Sequence, residues 1–365
     1  MPELLRRFAG TRGLMLAGLY LVAGLAIVAV MIASTGGKLD VALSGWFTGA
    51  FGSGYNLTQT LSDATPLALV ALGASIALRA GIITVGAEGQ LILGATLSAA
   101  VAFALGTSVP SPVALTIGAL AGGIGGALWS LIPAIAKVRW GVNEILSTLL
   151  ANYLAAFLLT YLLRNQLRDE QTAASPQSAV LPKPSLIPQL PVDGRIHVGI
   201  VIVVIIILAA WWWTRTPSAF LFDVYGTRPL LASRLGLTPM RAILTAMLIS
   251  GVCAGLAGWM QVAGVTSRLE PNVAGGIGFA GLAVAVLGRG NPIGIAVAAV
   301  VYAALGTGAA GVQMATGTTP TAIGTVSQGI LLLTAALALA AIKLLPRPSV
   351  PEPGTDSQKI GVSVG

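Results

Sequence analysis

The feature that most constrains this chain is its division into apolar runs, most of them near 20 residues long, bounded by arginines, lysines and short polar breaks. A helix crosses the hydrocarbon core of a bilayer with roughly 20 mostly apolar residues, because its backbone polar groups are then all satisfied within the segment. Ten such runs can be marked: 14–34, 57–78, 82–105, 113–136, 142–163, 197–214, 241–265, 276–288, 293–315 and 323–345. Only 9% of the 365 residues are charged, whereas soluble domains carry about 25%. A soluble fold could not cover its surface with so few charges, but lipid tails accept apolar side chains on the outside. The expected fold class is an all-α integral membrane protein of about ten transmembrane helices, some of them short or broken.

The runs recur evenly, so one membrane domain is expected over 1–345, with an external loop at 164–196 and a cytoplasmic loop at 215–241. Residues 35–56 are mixed and are expected outside the membrane or along its interface. The tail 346–365 is polar and is expected to be disordered on the cytoplasmic side. The run at 14–34 exceeds the roughly 7–15 apolar residues of a signal peptide and lacks a convincing cleavage site, so it reads as a retained helix. The 13 residues of 276–288 are too few to cross alone and suggest a half-helix.

Charge fixes an orientation. Of the 20 Lys and Arg, 14 fall on the side that carries both termini, and Lys38, Arg164, Arg168, Lys183, Arg195 and Arg268 fall on the other. Cytoplasmic loops hold the excess of positive charge, which places both termini in the cytoplasm. The net charge of +8 is thus explained at the ends of apolar runs, with no basic face for nucleic acid.

Several chemistries are excluded. With one cysteine (Cys253) and one histidine (His197) the chain has no internal disulfide, and His- or Cys-based triads and zinc sites are ruled out in practice. Cys253 reads as a small buried hydrophobe, and His197 as an interfacial residue. No catalytic residue and no metal site is expected. There is no G-x-x-x-x-G-K-[ST] phosphate loop, so a nucleotide that drove transport would bind another subunit.

Polar residues within apolar runs are the candidate functional groups. Glu88 and Gln90 lie in Gly86-Ala87-Glu88-Gly89-Gln90. An ionisable group at that depth must face protein or water. Glu88 therefore either lines a translocation path, in a broken helix, or locks helices together by hydrogen bonding. Asn143 and Glu144 read as the N-cap and first turn of a helix, and Asn152 as a bond to a neighbouring helix. Gly118, Gly122 and Gly126, and likewise Gly251 and Gly255, lie at four-residue spacing and predict close helix packing. In the loop 215–241, residues 229–235 can form a short helix with Thr227 as N-cap and Gly236 as stop, followed by Thr238-Pro239 at the start of the next span. Such a displayed helix suits docking of a partner, or else rests on the membrane surface.

Four stretches resemble the permease subunits of bacterial ATP-binding cassette (ABC) importers for simple sugars and nucleosides, kin to the ribose and branched-chain amino acid permeases. They are A-G-I-I-T-V-G-A-E-G-Q at 80–90, G-V-N-E-I-L-S-T-L-L-A-N-Y at 141–153, G-T-R-P-L-L-A-S-R-L-G at 226–236 and G-I-G-F-A-G-L-A-V-A-V-L-G at 276–288. The first two are fairly specific and the third is weak. Thr84, Arg228 and Ala280 stand where members of that family often carry Asn, Asn and Asp.

The resemblance implies a path for a nucleoside or related sugar-like solute, with Glu88, Gln90, Asn143, Asn152 and Phe279 as its candidate residues. It implies that the cytoplasmic loop docks into an ATPase through Thr227, Arg228, Pro229, Arg234, Leu235 and Gly236. The implied partners are cytoplasmic ATP-binding subunits, a second permease subunit (a different chain or a second copy), an external substrate-binding lipoprotein, the small-molecule substrate and the bilayer of the bacterial inner membrane. No cofactor is expected on this chain, because ATP and Mg would sit on the ATPase. An ion-coupled secondary transporter, using Glu88 or Asp63 as the coupling carboxylate, is the competing reading.

Overall fold

The structure is a computed structural model that describes residues 11–317 except 35, 37, 170–175, 192 and 193, together with scattered positions between 322 and 337. Its elements are α1 (Thr11–Ser34), α2 (Leu39–Phe51), α3 (Gly54–Arg79), α4 (Ala87–Leu105), α5 (Ser111–Trp140), α6 (Glu144–Arg164), α7 (Gly199–Trp213), α8 (Pro217–Thr227), α9 (Pro229–Arg234), α10 (Pro239–Met260), α11 (Ile277–Leu287) and α12 (Pro292–Thr316). Gln261–Thr266 extends α10 as a π-helical turn. Among the described residues there is no strand, only an isolated bridge between Gln189 and His197.

Among the described residues, six helices are long and apolar enough to cross a membrane: α3, α4, α5, α6, α10 with its π turn, and α12. The count reaches eight if the bent pairs α1–α2 and α7–α8 each make one span. The expected ten are not all found. The run at 276–288 forms only the 11-residue α11, and the span at 323–345 and the tail at 346–365 lie largely or wholly outside the described residues.

The core is built where small residues let backbones meet. On α5, Gly122 and Gly126 face Gly251 and Gly255 of α10; a Cβ on Gly126 would lie 2.1 Å from the Gly251 carbonyl oxygen. The two glycine patterns are thus the two halves of one seam. On another face of α5, Leu120, Ile124, Leu128 and Ile132 repeat every four residues and are all exposed. One helix therefore presents glycine to protein and large aliphatic side chains outward, the pattern a lipid surface demands. α3 is the most enclosed span, packed by α10, α11 and α12, whereas α6 is peripheral.

Four local readings are corrected or sharpened. Residues 35–56, expected outside the membrane or along its interface, carry the helix α2, which packs its Gly45 and Gly49 directly onto Gly311 of α12. The run 82–105 is not one interrupted helix, since 82–85 are non-helical and α4 begins at Ala87. Thr227 is the last residue of α8 rather than the N-cap of α9, because its hydroxyl bonds back to the carbonyls of Asp223 and Val224. His197 is buried rather than interfacial: its ring lies against Gly264 of the π turn, and its Nδ1 accepts from the N–H of Gly199 at 3.1 Å.

Other local readings agree with the structure. Asn143 caps α6, with Oδ1 accepting from the N–H groups of Ile145 and Leu146. Gly236 takes φ +96 just past α9, and Leu237 N–H closes onto the Ala232 carbonyl. Thr238 caps α10, with Pro239 in its first turn. The proline-bearing external segment folds back on the core, Leu181 and Ile187 being buried and their N–H groups bonding Ser267 and Ala263 carbonyls.

Candidate functional site

The polar centre of the molecule lies where α4 starts. After Arg79 the chain turns at Gly81 (φ +70) and runs without helical hydrogen bonding to Gly86. Residues 82–85 belong to no helix, and Gly86, the N-cap of α4, already has helical backbone angles (φ −80, ψ 0). The short helix α11 has 11 residues, which at 1.5 Å each is about 16 Å, half the thickness of a hydrocarbon core. α11 packs along α3 and is tied at both ends. At one end Arg79 Nη2 donates to the carbonyl of Gly290, just beyond α11, at 2.9 Å. At the other end Glu88 meets the start of α11.

That second contact is a carboxylate on a helix N-terminus. Glu88 Oε1 accepts from the N–H of Gly276 at 2.9 Å, and Oε2 from the N–H of Gly278 at 2.7 Å. The first N–H groups of a helix have no partner within it and carry the positive end of its dipole, so a carboxylate there satisfies two donors and a partial charge at once. The backbone is shaped for this. Gly275 and Gly276 both take positive φ (+52 and +85), and a Cβ on Gly278 would fall 2.2 Å from the Glu88 nitrogen. Of the two readings of Glu88, this geometry gives it a definite bonding role between helices. Phe279, in the same first turn, is 44% exposed and stands beside that carboxylate at the surface of α11.

Asn152 of α6 completes the joint. Its Oδ1 accepts from the N–H of Gly89, and its Nδ2 donates to the carbonyl of Val85, both at 2.9 Å. One side chain thus holds the extended segment and the first turn of α4 together. Thr148, one turn earlier on the same face of α6, accepts from the N–H of Val85 and donates to the Glu144 carbonyl. Glu144 is ion-paired with Lys137. Gln90 is buried, with Gly86 against it, and neither of its amide atoms has a hydrogen-bond partner among the described residues.

The structure therefore gathers Glu88, Asn152 and Phe279 around one joint, with Gln90 beside it. Asn143 is apart: nine residues before Asn152 on the same helix, about 13 Å away, it is exposed and occupied as a cap. Sequence reasoning missed Gly276, Gly278 and Thr148. The spacing of Glu144, Thr148 and Asn152 at i, i+4 and i+8 was the signal for a polar face on α6. Asp63, a carboxylate in the apolar run at 57–78, accepts from Gln59 within its own helix.

The cytoplasmic loop forms two short helices. α8 leaves α7 at a 74° bend, and Arg228 alone separates α8 from α9. On α9 and the turn that follows it, Leu230, Leu231 and Leu235 are exposed. Arg228, Pro229 and Arg234 lie along that same short stretch.

Discontinuous helices at membrane depth recur in transport proteins. Residues 56–340 match the family described as branched-chain amino acid transport system / permease component, and the chain belongs to that family. It is 31% identical over 303 residues to the guanosine ABC transporter permease protein NupP of Bacillus subtilis, covering 81% of this chain and 86% of that one. It is 31% identical over 291 residues to the glucose ABC transporter permease protein TsgB13 of Haloferax volcanii (77% and 76% covered), and 26% identical over 275 to the nucleoside ABC transporter permease protein NupB of Lactococcus lactis (73% and 75%). No solved structure matches the chain. The protein is thus a multi-pass permease subunit of an ABC transporter, and the ion-coupled reading is set aside.

Proposed function

We propose that this permease carries an uncharged, hydroxyl-bearing solute, a nucleoside or a related sugar, inward across a bacterial inner membrane. The observation that carries this reading is the seat of Glu88. A half-helix that ends inside a bilayer ordinarily offers its N-terminus to an anionic substrate. Here that terminus is already filled by the chain's own carboxylate. An anionic cargo would meet a negative group where it needs a positive one, whereas a neutral solute would meet polar groups already in place. Relatives named for guanosine, nucleosides and glucose agree with such a cargo.

In this reading α9 and its flanks, from Thr227 to Gly236, dock into a cytoplasmic ATPase that binds ATP and Mg. The translocation path then runs past Phe279 and the Glu88 joint, against a second, different permease subunit, and an external lipoprotein delivers the solute. The excess of Lys and Arg on the side of the termini supports a cytoplasmic placement for both ends. The test is uptake of labelled guanosine by cells expressing the whole complex, with competition by free nucleosides and by nucleoside monophosphates. Nucleosides should compete and monophosphates should not. Equal competition by the phosphates, or undiminished uptake in cells lacking the ATPase, overturns the reading. Charge reversal at Arg228 and Arg234 should abolish co-purification of the ATPase.

A further inference from the structure

Arg79 ends α3, and its guanidinium joins two other elements. Nη1 pairs with the Asp223 carboxylate of α8 at 3.2 Å, and Nη2 donates to the carbonyl of Gly290 in the turn between α11 and α12 at 2.9 Å. The Arg79 side chain is 14% exposed and that of Asp223 50%, so the cation is mostly withdrawn from water while its anion stands at the edge. A planar fork suits partners in two fixed directions better than an ammonium does. The Gly290 carbonyl also lies just past the C-terminus of α11, where the helix dipole favours a cation.

The backbones close around this pair. A Cβ on Gly226, near the end of α8, would lie 2.3 Å from the Arg79 carbonyl oxygen and 3.0 Å from the Gly81 nitrogen. With no side chain between them, the end of α8 is seated directly on the end of α3. α9 follows α8 after the single residue Arg228, so α8 and α9 are linked without slack.

We propose that Arg79 is a positioning residue that transmits displacement of α8 and α9 to α11, and through α11 to the Glu88 joint at its far end. This rests on the docking role given above to α9 and its flanks. A helix of about 16 Å, held by Arg79 at one end and by Glu88 at the other, moves as a rod. The short segment 82–86 also joins the end of α3 to the start of α4, where Glu88 sits. A push on α8 therefore reaches the interior through α11 and through this short link rather than being lost in a long loop.

The test uses the full complex in proteoliposomes and a cysteine placed by Phe279→Cys, which is exposed at the start of α11, whereas Cys253 is buried. Maleimide labelling of that cysteine is followed with and without ATP and vanadate. The rate should change on ATP trapping with Arg79 present, and the change should be lost in Arg79→Gln while labelling without ATP is kept. Asp223→Asn should reduce the change. If Arg79→Gln responds to ATP as the parent does, or if the parent shows no response, the proposal is overturned. If Arg79→Gln does not assemble, the half-exposed Asp223→Asn decides, and an undiminished response there overturns the proposal. Charge reversal at Arg228 and Arg234 separates the two ideas. ATPase binding that survives reversal sinks the docking role itself; ATPase binding that is lost, with a neutral Arg79→Gln, sinks only the link.

Discussion

Replacing Glu88 by Gln changes one atom of the side chain and should release the start of α11. The carboxylate accepts two backbone N–H groups at 2.9 and 2.7 Å. An amide offers one oxygen, and its NH2 would face a second donor. One charge-assisted bond, worth about 1.5–3 kcal/mol, is lost outright. The bond that remains becomes neutral and roughly half as strong. Loss of the negative charge at a helix N-terminus removes a further 0.3–1 kcal/mol or so. Together these come to about 3–5 kcal/mol, which by the scaling for large domains lowers the melting temperature by roughly 6 °C or more. Glu88→Asp, one methylene too short to reach both donors, should fall by a similar amount. The assay is thermal unfolding of the purified complex in nanodiscs, followed by solute uptake per folded complex. A Glu88→Gln protein that melts within about 2 °C of the parent would refute the claim that this carboxylate holds the half-helix. Uptake per folded complex that stays unchanged would refute its place on the path.

Three further outcomes follow from the same packing. Gly126→Leu should block the α5–α10 seam, because even a Cβ there meets the Gly251 carbonyl oxygen at 2.1 Å; the yield of folded protein from detergent extraction should collapse, whereas Ile124→Leu, on the exposed face of the same helix, should have no effect. Asn152→Ala leaves the Gly89 N–H and the Val85 carbonyl without their partner, and should cost about 1–3 kcal/mol for each buried group in a thermal melt; Asn152→Asp, which keeps only the acceptor, should lose the Val85 bond. Cys253 is buried and is the sole cysteine, so maleimide should label it only as the protein unfolds, with a midpoint that follows the thermal transition.

Much of the local structure was legible because its causes are local. Asn143 two residues before an N–H, Gly236 past a short amphipathic turn and Thr238 before Pro239 act through bonds to neighbours in sequence. The glycine faces of α5 and α10 were legible as faces for the same reason. That they face each other was not, since nothing in either pattern names its partner. His197 was misplaced because a ring beside Arg195 reads as interfacial until the π turn is seen to cover it.

The sequence by itself determined that this chain lives in a bilayer, because a chain 9% charged has no other way to cover its surface. It also determined that 276–288 is too short to cross, and that Glu88 must find a partner. The tertiary structure decided which partner: Gly276 and Gly278, 188 and 190 residues away. It also decided that Arg79 bridges α8 and the turn after α11. Such contacts join backbone groups of one segment to a side chain of another. A backbone N–H is the same in every residue but proline, so the sequence carries no mark of which ones a buried carboxylate will meet.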